Sequence, residues 1–154
     1  RDAAILGAGH AGNGAFWLNN NTGKWCSTTY YNEFPWWLSQ YNDRKSPDYR
    51  IKDMVWTPAL PFTNYTFLPE WRNEPFKYKL DGERTNKFRR LITSPFINEE
   101  VNLLTEELLN KSTIGQDDVP DLLSLTTTQE IITTEVRRNV PWKCKTPTCD
   151  WTVV

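Results

Sequence analysis

The stretch that most constrains this chain is a glycine turn, Gly7-Ala8-Gly9-His10-Ala11-Gly12-Asn13-Gly14, which holds four of the seven glycines in the sequence. Glycine without a Cβ lets a backbone reverse tightly and approach its neighbours closely. The turn is entered from an apolar run, Ala3-Ala4-Ile5-Leu6, that reads as a strand, and it is left through Ala15-Phe16-Trp17. Gly7, Gly9 and Gly12 satisfy the G-x-G-x-x-G spacing of a dinucleotide-binding turn, and equally that of any loop with close reversals. The dinucleotide reading needs a helix to start inside the turn, so that its first amides meet the pyrophosphate. The turn instead runs into a hairpin signal: Ala15–Asn19 and Lys24–Tyr31 are aromatic and β-branched runs, parted by Asn20-Asn21-Thr22-Gly23. Glu33 stands where an acidic ribose contact would be expected, yet it comes after the hairpin rather than a second parallel strand. A dinucleotide-binding domain is therefore the weaker alternative. His10, the only histidine, reads as hydrogen-bonded structure rather than as a ligand or base.

Beyond the hairpin, Glu33–Asn42 predicts a short helix with Pro35 in its first turn and Phe34, Trp37, Leu38 and Tyr41 on one apolar face. From residue 43 to about 86, prolines at 58, 61, 69 and 75 leave little room for regular elements. Trp56, Phe62, Tyr65, Phe67, Trp71, Phe76 and Tyr78 interleave with those prolines as anchors of a wrapping segment, or as a stacking platform for sugars or bases. Ser94–Lys111 carries the clearest helix signal: Ser94 as cap, Pro95 at the first position, Glu99 and Glu100 near the positive end of the dipole, and Ile97, Val101, Leu104 and Leu108 on a shared face. Gly115 breaks the helix, and Leu122–Thr126 reads as a strand covered on both faces. Asp117, Asp118 and Asp121 before it form a solvated turn, with a divalent cation site as the alternative.

With 154 residues, one core is expected. Eighteen basic against 19 acidic residues give a net charge of -1, too little field to draw in nucleic acid or an anionic membrane, and no apolar run reaches the roughly 20 residues that span a bilayer. Cys144 and Cys149 can close a small disulfide loop or remain free, leaving Cys26 unpaired. The sequons at Asn20, Asn64 and Asn110 would be glycosylation acceptors only in a eukaryotic secretory context, and chance accounts for them. Arg1-Asp2 with no initiator Met reads as the interior of a gene product.

The order of these signals resembles a known family. Ala4-Ile5-Leu6, Ala8-Gly9-His10-Ala11, Gly14-Ala15-Phe16-Trp17, Thr22-Gly23-Lys24-Trp25, Ser27-Thr28-Thr29-Tyr30-Tyr31, Pro35-Trp36-Trp37 and Asn42 resemble the middle of bacterial phosphate-irrepressible alkaline phosphatases. These belong to the alkaline phosphatase superfamily, with the type I phosphodiesterases and nucleotide pyrophosphatases as relatives. Trp56–Pro61, Thr93–Glu99 and Pro120–Thr126 continue the likeness, which runs to about residue 126. The resemblance implies a two-zinc phosphomonoesterase, with a Thr nucleophile activated by one zinc and the leaving oxygen neutralised by the other. It also implies a periplasmic or secreted setting. A Lys-x-Arg pair that binds phosphate precedes the apolar run in this family. Arg1 stands as its Arg, one residue further from Ile5 than the pattern has it.

The chain also departs from that pattern. The nucleophile and first metal ligand lie upstream of residue 1 in the family, so Thr28 and Thr29 take neither role. An Asp and, four residues later, a His come after the last strand in the family, whereas residues 126–138 here contain neither.

The resulting expectation is an α/β fold: part of an alkaline-phosphatase-like sheet with an inserted aromatic-rich cap that contains a β-hairpin and a long helix. Its parts are core strand and glycine turn (1–14), cap with hairpin and proline- and aromatic-rich wrap (15–92), helix and core strand (93–126), and a divergent tail (127–154). Functionally the chain reads as an interior segment of a phosphatase-like hydrolase, acting on a phosphate ester in an intact parent. Arg1 is its phosphate contact, and it carries no catalytic residue or metal ligand and no zinc of its own. The alternative is a non-catalytic phosphatase-like binding or assembly subunit. Its partners would be the rest of a parent chain or an assembly partner.

Overall fold

The computed structural model describes residues 1–31, 34–64, 77–81 and 87–127, together with the backbone of 131–136. Glu33, the aromatics at 65, 67, 71 and 76, Cys144, Cys149 and the rest of the tail beyond residue 136 lie outside the described residues.

The apolar run that reads as a strand is a helix, α1 (Asp2–Ala8). Three of its seven residues are Ala, the strongest helix former, and a run this short has too little periodicity to separate strand from helix. Gly9, at φ 63°, closes α1 and returns its N–H to the Ile5 carbonyl. The expected hairpin is present as β1 (Trp17–Leu18) antiparallel to β2 (Trp25–Cys26), with Trp17 opposite Cys26. Asn19 organises its turn by accepting from the N–H groups of Asn21 (2.9 Å) and Thr22 (3.1 Å).

Helix α2 (Trp36–Arg44) starts one residue after Pro35, which caps it from extended backbone. Trp37, Leu38 and Tyr41 are buried as the spacing requires, but Phe34 remains 47% exposed. The described part of the proline-rich stretch holds one-turn α3 (Asp48–Ile51), a 3-10 turn at Phe62–Asn64, and β3 (Val55–Trp56) paired antiparallel with β4 (Tyr78–Lys79). After the single turn α4 (Arg89–Ile92), the long helix α5 runs over Ile97–Lys111. Ser94 does not cap α5. Its buried hydroxyl donates back to the Leu91 carbonyl at 2.8 Å, so the chain makes a tight turn through Pro95 and the helix starts three residues later.

The last strand also differs from expectation. β5 (Asp121–Thr126) pairs antiparallel with β6 (Ile131–Val136), and Leu122 is exposed, so the described residues do not cover β5 on both faces. The architecture is thus mixed α/β, with three two-stranded antiparallel sheets among the described residues.

Two apolar clusters form the core. One joins Trp25, Trp37, Leu38, Tyr41 and Leu104, packing the hairpin and α2 against α5. The other joins Ile51, Leu80, Phe88, Leu91 and Ile97. Leu18 and Val101 pack against both, which makes them continuous. Asn42 ties α2 to the hairpin: its amide donates to the Trp25 carbonyl (3.0 Å), and its side-chain oxygen accepts from the Trp25 N–H (2.7 Å). This pair satisfies a buried strand edge that would otherwise lack partners.

Tyr41 lies fully buried in this core, and among the described residues its hydroxyl has no hydrogen-bond partner. Burial, reinforced by the Glu100 charge, pushes its ionisation up from 10.0 to about 12. The folded protein therefore keeps a proton that the unfolded chain releases, and stability should fall as pH rises between about 10 and about 12. Tyr41→Phe is expected to remove that part of the fall and to cost little at neutral pH, because it deletes an unpartnered buried hydroxyl. Denaturant unfolding of both proteins at pH 7 and pH 11 checks this: equal losses at pH 11 would contradict it.

Candidate functional site

Arg1 is where the resemblance places phosphate contact. It immediately precedes α1, exposed, and its Nε donates to the Asp2 carboxylate at 2.9 Å. That hydrogen bond, with the Arg1 charge, holds the Asp2 carboxyl below its ordinary value. The remaining guanidinium donors have the planar fork that suits a phosphate oxygen pair.

From Arg1, α1 leads directly into the glycine turn. Gly12 folds back onto the helix end: a Cβ there would lie 2.6 Å from the Ala8 carbonyl oxygen and 2.8 Å from the Ala8 Cβ, so only glycine fits. Tyr31, just past the hairpin, seals the other side by donating its hydroxyl to the Gly9 carbonyl at 2.8 Å, with the Ile5 carbonyl at 3.4 Å. Tyr30 meets the Tyr31 ring edge-on at 4.9 Å and the His10 ring edge-on at 6.3 Å. His10, expected as hydrogen-bonded structure, is exposed and lies edge-on to the Tyr30 ring. The order here is helix, turn, strand, the reverse of the strand, turn, helix that a dinucleotide turn uses.

A second polar centre was not legible in the sequence. Arg50 of α3 grips Glu100 of α5 with two parallel bonds, Nε to Oε1 at 2.7 Å and Nη2 to Oε2 at 2.5 Å, and also donates to the Lys45 carbonyl at 2.9 Å. Glu100 is 2% exposed, and its hydrogen bond raises the Arg50 ionisation further. The pair borders a half-open cleft of about 220 Å³ lined by Ile51, Met54, Leu91, Phe96 and Glu99. Both carboxylate oxygens are taken by the guanidinium, so the pair's evident role is to lock α3 to α5. The only sequence signal was that Glu100 falls between Ile97 and Leu104 on the apolar face of α5.

The acidic trio does not converge. Asp121 accepts from the Gly115 N–H (2.5 Å) and Asp117 from the Val119 N–H (2.9 Å), each holding part of a turn. Among the described residues no three His, Cys, Asp or Glu side chains gather as metal ligands. No helix among them is long and apolar enough to cross a membrane.

Comparison with known proteins gives these features a context. Alkaline phosphatase PafA of Elizabethkingia meningoseptica is 31% identical over 137 residues, covering 80% of this chain and 25% of that protein. Alkaline phosphatase PhoV of Synechococcus elongatus is 30% identical over 89 residues, 57% of this chain and 16% of its own length. A protein named calcium-transporting ATPase from Myroides odoratus is 34% identical over 87 residues, 56% of this chain and 16% of its own length. The chain therefore spans between a sixth and a quarter of the length of these relatives. No family model matches, and no solved structure does. By its likeness to the two phosphatases, the chain is related, as a segment, to the alkaline phosphatase superfamily.

Proposed function

We propose that this chain is an interior segment of a phosphatase-like hydrolase that cleaves phosphate monoesters when intact. The observation that carries the proposal is the 31% identity over 137 residues to Alkaline phosphatase PafA. In this reading the hydrolase is zinc-dependent and periplasmic or secreted, and its nucleophile and metal ligands lie outside the present chain. The chain contributes residues 15–92 as a cap that shapes the substrate approach. Arg1 is its direct contribution to phosphate binding: an exposed guanidinium immediately before α1 offers charge-assisted bonds to non-bridging oxygens. Asp2 holds Nε meanwhile, so substrate would engage the other guanidinium nitrogens.

A second reading is favoured by one specific observation: residues 126–138 contain neither Asp nor His, where the family supplies metal ligands. In that reading the protein kept the scaffold and serves as a binding or assembly subunit. Hydrolysis of p-nitrophenyl phosphate by the full-length product, with zinc measured on the same sample, separates the two. Activity with bound zinc supports the hydrolase. A folded, intact product lacking both supports the subunit.

A further inference from the structure

Among the described residues, the buried side chains all come from positions between 15 and 104. Helix α1 and strand β5 lie at the two ends of that span, and neither contributes a single buried side chain, although they hold two of the chain's most apolar runs. They pack on each other: a Cβ at Gly7 would lie 3.1 Å from Ser124 Oγ, so α1 rests on the face of β5 that carries Ser124. Side chains alternate along a strand, so Leu122 and Thr126 share that face. Leu122 is nevertheless 70% exposed, Leu6 is 81% exposed, and Val119 and Ile5 are exposed beside them in sequence. The other face of β5 carries Leu123 and Leu125, which are only half-buried. Among the described residues β5 pairs on one edge only, with β6.

Single exposed leucines are ordinary on a protein surface, but a helix and strand that pack together without fully burying one side chain form an unfinished layer. We infer that the α1–β5 layer is a docking face, covered in the native protein by further chain of the same polypeptide. The occupant is argued from length. The chain matches PafA over 137 residues yet spans 25% of it, so in a protein of that size some three-quarters of the polypeptide remains to pack against this segment. An apolar strand with an open edge and two under-covered faces is suited to a continuing sheet of its own chain. The inference rests on the reading of the chain as a segment of a longer hydrolase.

Thiol labelling of Leu6→Cys and Leu122→Cys in the full-length native product, read by peptide mass mapping, tests this. Each position should label about tenfold or more slowly than in the same protein unfolded in guanidinium. Hydroxyl-radical footprinting of Leu6 and Leu122 in the wild-type protein gives the same comparison without substitution, should a variant fail to fold. Near-equal native and denatured rates would overturn the inference. So would protection in a product whose intact mass is 18.1 kDa, since the cover would then be a second copy or another protein. Protection in a longer product that neither binds zinc nor hydrolyses p-nitrophenyl phosphate would uphold the docking face while removing the hydrolase reading.

Discussion

Arg50→Ala should lower the free energy of unfolding by about 3–5 kcal/mol, a large share of the stability of any single domain. The reason lies in Glu100. Its carboxylate is 2% exposed, and both oxygens are held by the Arg50 guanidinium at 2.7 and 2.5 Å. Deleting the guanidinium leaves an ionised group in the core without its counter-charge, and the Lys45 carbonyl also loses its 2.9 Å donor. A surface pair would behave differently, because water would replace the lost partner at a cost of about 1 kcal/mol or less. Replacing both partners by apolar groups, Arg50→Met with Glu100→Leu, should restore most of the loss, since no buried charge is then stranded. Urea unfolding of the two variants decides the matter. A loss below about 1 kcal/mol for Arg50→Ala would show that the pair is solvated and does not lock α3 to α5.

The second large effect is expected at Gly23, in the turn of the hairpin. Its φ is +65°, in the left-handed region, where a side chain costs about 1–2 kcal/mol. A Cβ there would also lie 2.4 Å from Phe88 Cζ and 2.6 Å from both neighbouring ring carbons. Phe88 cannot easily yield. It is buried within the second core cluster, and its N–H is bonded to the Asn20 carbonyl of the same turn at 3.0 Å. Overpacking of this kind typically costs about 1–3 kcal/mol, so Gly23→Ala should lose about 2–5 kcal/mol in all. Adding Phe88→Leu should return the overpacking part but not the backbone part, which splits the two causes. A Gly23→Ala protein as stable as wild type would contradict the packing of hairpin turn on Phe88.

These two positions show how unevenly the fold is legible in the sequence. The hairpin is readable because Asn and Gly mark the reversal locally and the flanking aromatic runs suit strands. The apolar face of α2 is readable from Trp37, Leu38 and Tyr41 at helical spacing, and α5 from Ile97, Val101 and Leu104. The run Ala3–Leu6 misleads because four apolar residues fit either period, and the alanines that favour helix have no strand-specific counter-signal. β5 is a strand where its sequence predicts one, but its covering is only partly present among the described residues. Its apolar residues, which do not alternate with polar ones, suit a strand covered on both faces, while the described chain supplies only α1 on one face and β6 along one edge. The Arg50–Glu100 pair joins residues fifty positions apart, and only tertiary structure brings them together.

The site is legible to a lesser degree. Arg1 is singled out by resemblance alone, and its exposed pairing with Asp2 is a local contact that occupies Nε and leaves the other guanidinium nitrogens. His10 draws notice as the only histidine, yet it lies against Tyr30 on the surface. The glycines, by contrast, have a structural explanation in this chain. Gly12 folds onto Ala8, and Gly9 ends α1 with a hydrogen bond back to Ile5.

The central claim, that the chain is part of a phosphatase-like hydrolase, is tested most directly by assaying the purified full-length product for p-nitrophenyl phosphate hydrolysis while its zinc is quantified. The account predicts hydrolysis that disappears when a chelator strips the zinc and returns when zinc is restored. A folded, full-length product that holds no zinc and leaves the ester intact would contradict it.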